Sequence, residues 1–390
     1  MKVLLVGGFE VVHCRRYLSL LQAENCDVFV LDYSRSGRPP SLSYFRYLSG
    51  PWQGLRLFEW LFSRRIAREL SEKFVRLQLR LLFALFRPDI VHVQWIGDWA
   101  WRIARAGATP LVLTAWGTDI NQTCLPHFDP GLRRQIREAL TLSDLLIADS
   151  DDLIDRAIAL ADKPLKSISL PIGIDTKLFR PGYVEEAAEW RRELGIPHAA
   201  TVILSPRALR EEYGHHFILE SFATATAENG DDKYLVMKDF DGRDRHYRTS
   251  LIELAAQRGV DARVRILNQV DYSKLPILYS MADLAVNFPI ADAFPVTFLE
   301  CLACELPMLT NRLPAYSSHG LARHFVFTDA RTVEALRRRL LDAFANLPSL
   351  LAMASEGGAS VREKFDETVT RRTLLESYRG LVPIQERCGA

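Results

Sequence analysis

Short uninterrupted apolar runs alternate with longer stretches of helical period along the whole chain. Lys2–Val6 reads as a first buried strand, followed by a Gly7-Gly8 turn and a helix running through Arg15 to Ala23. Val28–Leu31 is a second strand, Ile90–Val93 a third after Pro88-Asp89, Leu111–Thr114 another after Pro110, and Leu145–Ala148 another before Asp149-Ser150. Runs that are apolar throughout, rather than alternating, belong to strands covered on both faces, and helical stretches between them supply the crossovers of a parallel sheet. The same grammar restarts at Thr201–Leu204 and continues through Tyr234–Met237, Val264–Ile266, Leu284–Asn287 and Met308–Leu309. The pattern therefore predicts an α/β chain of two doubly wound domains, with the boundary in the Pro- and Gly-bearing stretch Ile172–Pro181. In such folds ligands bind outside the carboxyl ends of the strands, so the expected site is a cleft that the two domains face.

Composition narrows the class. The chain has 390 residues, 48% hydrophobic and 25% charged, which suits two soluble cores. Net charge is +1, so nucleic acid is not an expected partner. Residues 1–180 hold 24 Lys and Arg against 19 Asp and Glu, a balance of +5, which leaves −4 for the remainder. A basic first half fits a partner of negative charge. The cysteines at 14, 26, 124, 301, 304 and 388 are scattered, as in a reducing cytosol. Cys301-Leu-Ala-Cys304 stands alone inside a helix and reads as packing, with no second pair to complete a metal site. The N-terminal apolar run is too short for a signal peptide, and no run reaches the ~20 residues that span a bilayer. Trp52–Arg87 stands apart: eight Lys and Arg against three Glu, with Trp52, Leu55, Phe58, Trp60, Leu61 and Phe62 at its start. A helix pair with a solvated basic face is the favoured reading, and contact with an anionic membrane surface is the other.

The most informative segment is Asp292-Ala-Phe-Pro-Val-Thr-Phe-Leu-Glu300. Two carboxylates lie eight positions apart with a helix start between them. Pro295 suits the first helical position, where its missing N–H costs nothing. Free amides at that start, backed by the helix dipole, bind phosphate. Glu300 follows about one and a half turns later, at roughly 3.6 residues per turn, and leans back toward the same end. Phosphate at the amides and sugar hydroxyls at the carboxylates is the chemistry such a cradle serves.

In order along the chain, Gly7-Gly8, Pro88-Asp-Ile-Val-His-Val93, Leu113-Thr-Ala-Trp-Gly-Thr-Asp119, Pro171-Ile-Gly-Ile-Asp175 with Phe179 and Pro181, Ser205-Pro-Arg207, Tyr279-Ser-Met-Ala-Asp283 and Asp292–Glu300 followed by Cys301–Pro307 resemble the landmarks of the retaining nucleotide-sugar glycosyltransferases of GT-B fold, family 4. The resemblance implies an N-terminal Rossmann-like acceptor-side domain (1–175), a nucleotide-sugar-binding domain (176–365) and a crossover helix (366–390) returning to the first domain. It implies a hexosyltransferase that moves sugar from a UDP- or GDP-sugar to an acceptor hydroxyl with retention, in glycan, glycolipid or polysaccharide biosynthesis. The resemblance implies that no metal or other cofactor is required. Cytoplasmic placement is expected, with the inner membrane face as a peripheral contact through 52–87 and a lipid-linked or phosphate-bearing acceptor. Arg207 would contact the donor diphosphate, Glu300 the ribose and Asp292 the transferred sugar. The amides of Val296 and Thr297, within the Phe294-Pro295 turn, would meet the phosphates. Gly8 would face donor and acceptor, and Val270 would border the base. The usual proposal for the family is same-face attack, in which the leaving phosphate takes the acceptor proton.

Four positions depart from the pattern. Trp116 stands where the family has His beside the reacting centre, Asp292 replaces the first Glu, and Glu212 replaces a phosphate-binding Lys, for which Lys238 is the substitute. Glu305 replaces a helix-end Gly. Asp119 fits N-capping and acceptor-hydroxyl binding equally. His92 reads as a packed histidine, and His215-His216 as neighbours that face different ways rather than a metal pair. Trp116 and Glu212 also admit a non-catalytic sugar-nucleotide sensor or partner subunit.

Overall fold

A computed structural model describes residues 1–33, 47–49, 64–230, 232–239, 242 and 244–382, with backbone alone at 47–49, 64–68 and 229. The Trp52–Phe62 aromatic cluster and Cys388 lie outside the described residues. Two compact units are present: 1–172 with 368–390, and 173–367.

Among the described residues the first unit carries seven parallel strands: β1 (Lys2–Gly7), β2 (Asp27–Asp32), β3 (Tyr47–Ser49), β4 (Ile90–Gln94), β5 (Leu111–Thr114), β6 (Leu145–Ala148) and β7 (Ser167–Ser169). Their spatial order is β3-β2-β1-β4-β5-β6-β7. Val6 sits beside Val93, and Val93 beside Leu113, so the central strands end level with one another. Ile90–Gln94, Leu111–Thr114 and Leu145–Ala148 are buried along their whole length, as their mainly apolar sequences suit. The chain moves outward from β1 to β3, then returns to β4 on the other side. Adjacent connections therefore leave β1 and β4 in opposite directions, and a crevice opens at their carboxyl ends.

The second unit repeats the plan with β8 (Thr201–Ser205), β9 (Lys233–Lys238), β10 (Val264–Leu267), β11 (Leu284–Asn287), β12 (Met308–Asn311) and β13 (Phe325–Thr328), in the order β10-β9-β8-β11-β12-β13. Its switch point falls between β8 and β11. The helix Val296–Ala303 sends Phe298, Leu299, Cys301 and Leu302 into the core. It closes with the Glu305 N–H on the Leu302 carbonyl (2.8 Å) and the Leu306 N–H on the Cys301 carbonyl (2.9 Å). This Schellman closure places Glu305 at φ 61°, the conformation that the absent glycine would favour. Arg362 holds its carboxylate at 3.0 Å.

The last helix, Glu367–Arg379, buries Leu374, Leu375 and Tyr378 and belongs to the first unit from Thr368 on. Arg371 pairs with Glu24 at 3.0 Å, and the Tyr378 hydroxyl meets Nδ1 of His92. Nε2 of His92 lies 2.6 Å from Thr114 Oγ1. Burial pushes the His92 imidazole down to about 3, so the ring is a neutral strut that ties β4, β5 and the returning helix together.

Candidate active site

The switch point of the second unit gathers the polar side chains that the sequence singles out there. Arg207 follows β8 and Asp292 follows β11, the two strands that flank that point. Arg207 Nη1 lies 3.0 Å from Asp292 Oδ2, and Nη2 donates to Oδ1 at 3.3 Å. The Nη1 contact is an ion pair without aligned hydrogen-bond geometry, so that N–H has no aligned acceptor among the described residues. The Tyr316 hydroxyl donates to Asp292 Oδ2 at 3.0 Å and accepts from Asn287 Nδ2 at 3.0 Å. Tyr213 lies beneath the guanidinium, 4.2 Å from ring to cation. Burial alone disfavours the Arg207 charge. The Asp292 carboxylate, with Tyr213 and Tyr316, more than offsets this and holds the group above its ordinary range.

Glu300 is buried on the helix that starts after Pro295, and its Oε2 accepts the Tyr279 hydroxyl at 2.8 Å. Lys238 ends β9, also buried; burial lowers its pKa, and the Glu300 carboxylate works against that fall while the Arg207 cation adds to it. The sheet register agrees: Met237 lies beside Ser205, so Lys238 ends its strand next to the loop that carries Arg207. Arg207, Lys238, Asp292 and Glu300 thus form one charged cluster around a helix start.

Pro295 is corrected by one position: it is the N-cap (φ −76°, ψ 135°), and Val296 is the first helical residue. The Phe298 N–H bonds the Pro295 carbonyl at 2.9 Å, and helical geometry gives the earlier amides of Val296 and Thr297 no partner within the helix. The Phe294 side chain is core, edge-on to Phe298 and His319. Val270 follows β10 and is half-buried against the core.

Several supports were not read from sequence. His215 accepts the Ser205 hydroxyl at Nδ1 (2.9 Å) and donates from Nε2 to the Ala208 carbonyl (2.7 Å), which clamps both sides of the loop carrying Arg207. Burial pushes its imidazole down to about 4, so it does this as a neutral ring. His216 turns away to Tyr247 at 3.0 Å. Among the described residues no three His, Cys, Asp or Glu side chains meet as a cation site. Gly214 at φ 69° must be glycine: a Cβ there would meet the Phe288 carbonyl at 2.3 Å. Glu212 is exposed. Burial raises the Cys301 and Cys304 thiols well above their ordinary range, which fits packing rather than thiolate chemistry.

The first unit positions the remaining candidates at its own switch point. A Cβ on Gly7 would meet Cys14 Sγ at 2.9 Å, so the chain leaves β1 without one. The Gly8 carbonyl then accepts the Val11 N–H at 3.0 Å before the helix Val12–Gln22. Trp116, after β5, stacks on His13 (4.6 Å between ring centres) and meets Tyr17 edge-on. Its Nε1 is buried with no hydrogen-bond partner among the described residues.

Asp119 lies in the first turn of the helix Thr118–Asn121, whose N-cap is Gly117. It is therefore not the cap. Oδ1 accepts the Trp116 N–H at 3.0 Å and Oδ2 the Ile96 N–H at 3.0 Å. The carboxylate thus laces the loop after β4 to the loop after β5. Burial raises it to about 6 from 3.8 in spite of these amides. A raised carboxyl favours the fold most below its unfolded value, and that support fades as pH rises through about 6. Relative to Asp119→Asn, which does not titrate, the native chain is expected to gain about 1.4 kcal/mol between pH ~7.5 and ~5. Denaturant unfolding of both at several pH values checks this; a gap that ignores pH would contradict it.

The family model for glycosyl transferases group 1 matches residues 186–357, and the model for glycosyl transferase 4-like proteins matches residues 2–150. The chain is 26% identical to D-inositol 3-phosphate glycosyltransferase 1 of Catenulispora acidiphila over 75% of this chain and 72% of that protein. It is 22% identical to the GDP-mannose-dependent monoacylated alpha-(1-6)-phosphatidylinositol monomannoside mannosyltransferase of Corynebacterium glutamicum, over 67% of this chain and 68% of that protein. The solved structure of Anabaena Alr3699/HepE in complex with UDP and glucose superposes with a TM-score of 0.76 at 17% identity, covering 98% of this chain and all of that one, a likeness of fold. With both units matched in order, the chain belongs to the group 1 glycosyltransferases, family 4, and is a transferase of GT-B fold.

Proposed function

We propose that the protein transfers a sugar from a nucleoside-diphosphate sugar, with uridine or guanosine as the nucleoside, to an acceptor hydroxyl with retention of anomeric configuration and without a metal. The observation that carries this is the cluster of Arg207, Lys238, Asp292 and Glu300 around the start of the helix Val296–Ala303. Two cations and the amides of Val296 and Thr297 suit a diphosphate. Glu300 suits the ribose hydroxyls, and Asp292 the transferred sugar. Lys238, already inside the cluster, takes the part that exposed Glu212 cannot.

In the transfer, the bond from the anomeric carbon to the diphosphate breaks and a bond to the acceptor oxygen forms on the same face. The acceptor proton passes to the departing phosphate. Arg207 and Lys238 neutralise charge as it develops on that leaving group, which is where fixed cations lower a barrier most. No enzymic nucleophile is needed. Gly8, Trp116 and the loop laced by Asp119 suit the acceptor side. The names of the two relatives point to a polyol phosphate or glycolipid as acceptor class.

A thermal-shift screen with UDP, GDP, ADP, CMP and their common sugars tests the donor. A ligand that binds only the folded chain stabilises it by about 2.7 kcal/mol at 100 times its Kd. A shift by one diphosphate and its sugar, followed by α-linked product on an acceptor panel, is the expected result. Binding without turnover on any acceptor would favour the sensor reading, and no shift with any nucleotide would overturn both.

A further inference from the structure

The helix Arg64–Phe86 of the first unit has two apolar faces. One packs inward: Val75, Leu79 and Phe86 are buried, Phe86 against Phe29 at 5.0 Å, and Glu72 is held by Arg102 at 2.7 Å. The other faces out. Phe74, Leu77, Leu81 and Leu85 are 41, 55, 54 and 84% exposed. Steps of three, four and four residues put these four side chains on one stripe, about 16 Å long at 1.5 Å per residue. Beside the basic side chains expected from sequence, the outward face of the described part therefore carries an apolar stripe. A stripe of this kind on a folded chain marks a surface that meets something apolar.

Its border says what. Lys73, Arg76 and Arg80 lie along one edge of the stripe at the same helical spacing, and Arg87 follows the helix end. Arg80 spends only its Nε on the Ala106 carbonyl, at 3.4 Å. The inward acid, Glu72, is neutralised by Arg102, which leaves Glu69 as the acid on the outward side of the described part. An apolar stripe edged by cations matches the boundary between acyl chains and anionic headgroups, and sixteen ångströms of it suits lying in that plane. A second copy of the chain would set one basic edge near another.

We infer that this helix docks the protein on an anionic lipid bilayer, with Phe74, Leu77, Leu81 and Leu85 in the acyl boundary and Lys73, Arg76 and Arg80 at the phosphates. This surface is independent of the donor cluster, so it stands or falls apart from the transfer reading.

The test is co-sedimentation of the full chain with vesicles of phosphatidylcholine, alone or with roughly a third phosphatidylglycerol, the anionic fraction that polybasic surfaces respond to. The native chain is expected to pellet with the anionic vesicles, to stay in solution with the neutral ones, and to release as salt rises. Leu77→Gln with Leu81→Gln and Leu85→Gln should weaken binding at least tenfold, and each of Arg76→Gln and Arg80→Gln about fivefold. The three leucines are exposed, so the triple variant should keep the native circular dichroism and melting temperature, with unchanged nucleotide binding. A native chain that ignores anionic vesicles, or a triple variant that binds them as well as the native one, overturns the inference. So does a native dimer in sedimentation velocity that the triple variant abolishes, since the stripe would then belong to a second copy.

Discussion

Glu300→Gln is expected to leave the chain folded and to cut donor utilisation by about 10²–10⁴, most of it in KM. The magnitude follows from two ribose hydroxyls, each losing a hydrogen bond to a charged acceptor worth about 1.5–3 kcal/mol. Glutamine keeps the volume and an oxygen for the Tyr279 hydroxyl, so the substitution removes charge and little else. Glu300→Ala is a harsher change. Both variants remove the carboxylate that supports the charge of buried Lys238, and alanine also strands the buried Tyr279 hydroxyl. The alanine substitution is expected to cost about 2–5 kcal/mol of stability along with the transfer activity. Steady-state kinetics on the glutamine variant, beside melting curves for both, separates the two effects. A glutamine variant with native KM for the donor would remove Glu300 from the ribose.

Why Glu300 was legible and its supports were not has a physical answer. Glu300 and Asp292 stand in one short segment, and the local rules of a helix start suffice to bring them to the same end. Arg207 likewise follows a strand that reads as a strand. Tyr279, Tyr316 and His215 act across the fold: Tyr279 reaches Glu300 from another helix, and Tyr316 reaches Asp292 from the turn after β12. Nothing in their own neighbourhoods announces this. The same contrast holds for the strands. Central ones such as β5 and β6 are buried along their whole length and read as nearly unbroken apolar runs, and β4 does so up to His92. The short edge strands β3, β7 and β13 escaped, and β7 is only half-buried throughout. A residue half in water need not be apolar, so the signal thins at sheet edges. Asp119 illustrates a third limit. Its position in a turn was legible, but its grip on the Ile96 amide depends on the loop after β4, 23 residues away in sequence.

The Arg207–Asp292 pair carries the second large effect, and it has a sign that a purely structural salt bridge would not give. Arg207 faces two demands: it neutralises Asp292 in the structure described, and a donor diphosphate would draw on the same guanidinium. A nucleoside diphosphate without its sugar competes with Asp292 and receives nothing from it. Asp292→Asn removes the competing charge while leaving an oxygen for the Tyr316 hydroxyl. It is therefore expected to bind the free nucleoside diphosphate about tenfold tighter, a gain of about 1.4 kcal/mol. Transfer by the same variant should slow by about 10²–10³, because the contact to the moving sugar is lost when it matters. Arg207→Ala should move both quantities down together. It also leaves Asp292 as a largely buried, uncompensated charge, expected to cost about 3–5 kcal/mol in stability. Calorimetric titration with the nucleoside diphosphate, set beside kcat, reads the split directly. If Asp292→Asn changes neither, the pair is only a brace for the loop after β8, and Asp292 does not touch the sugar.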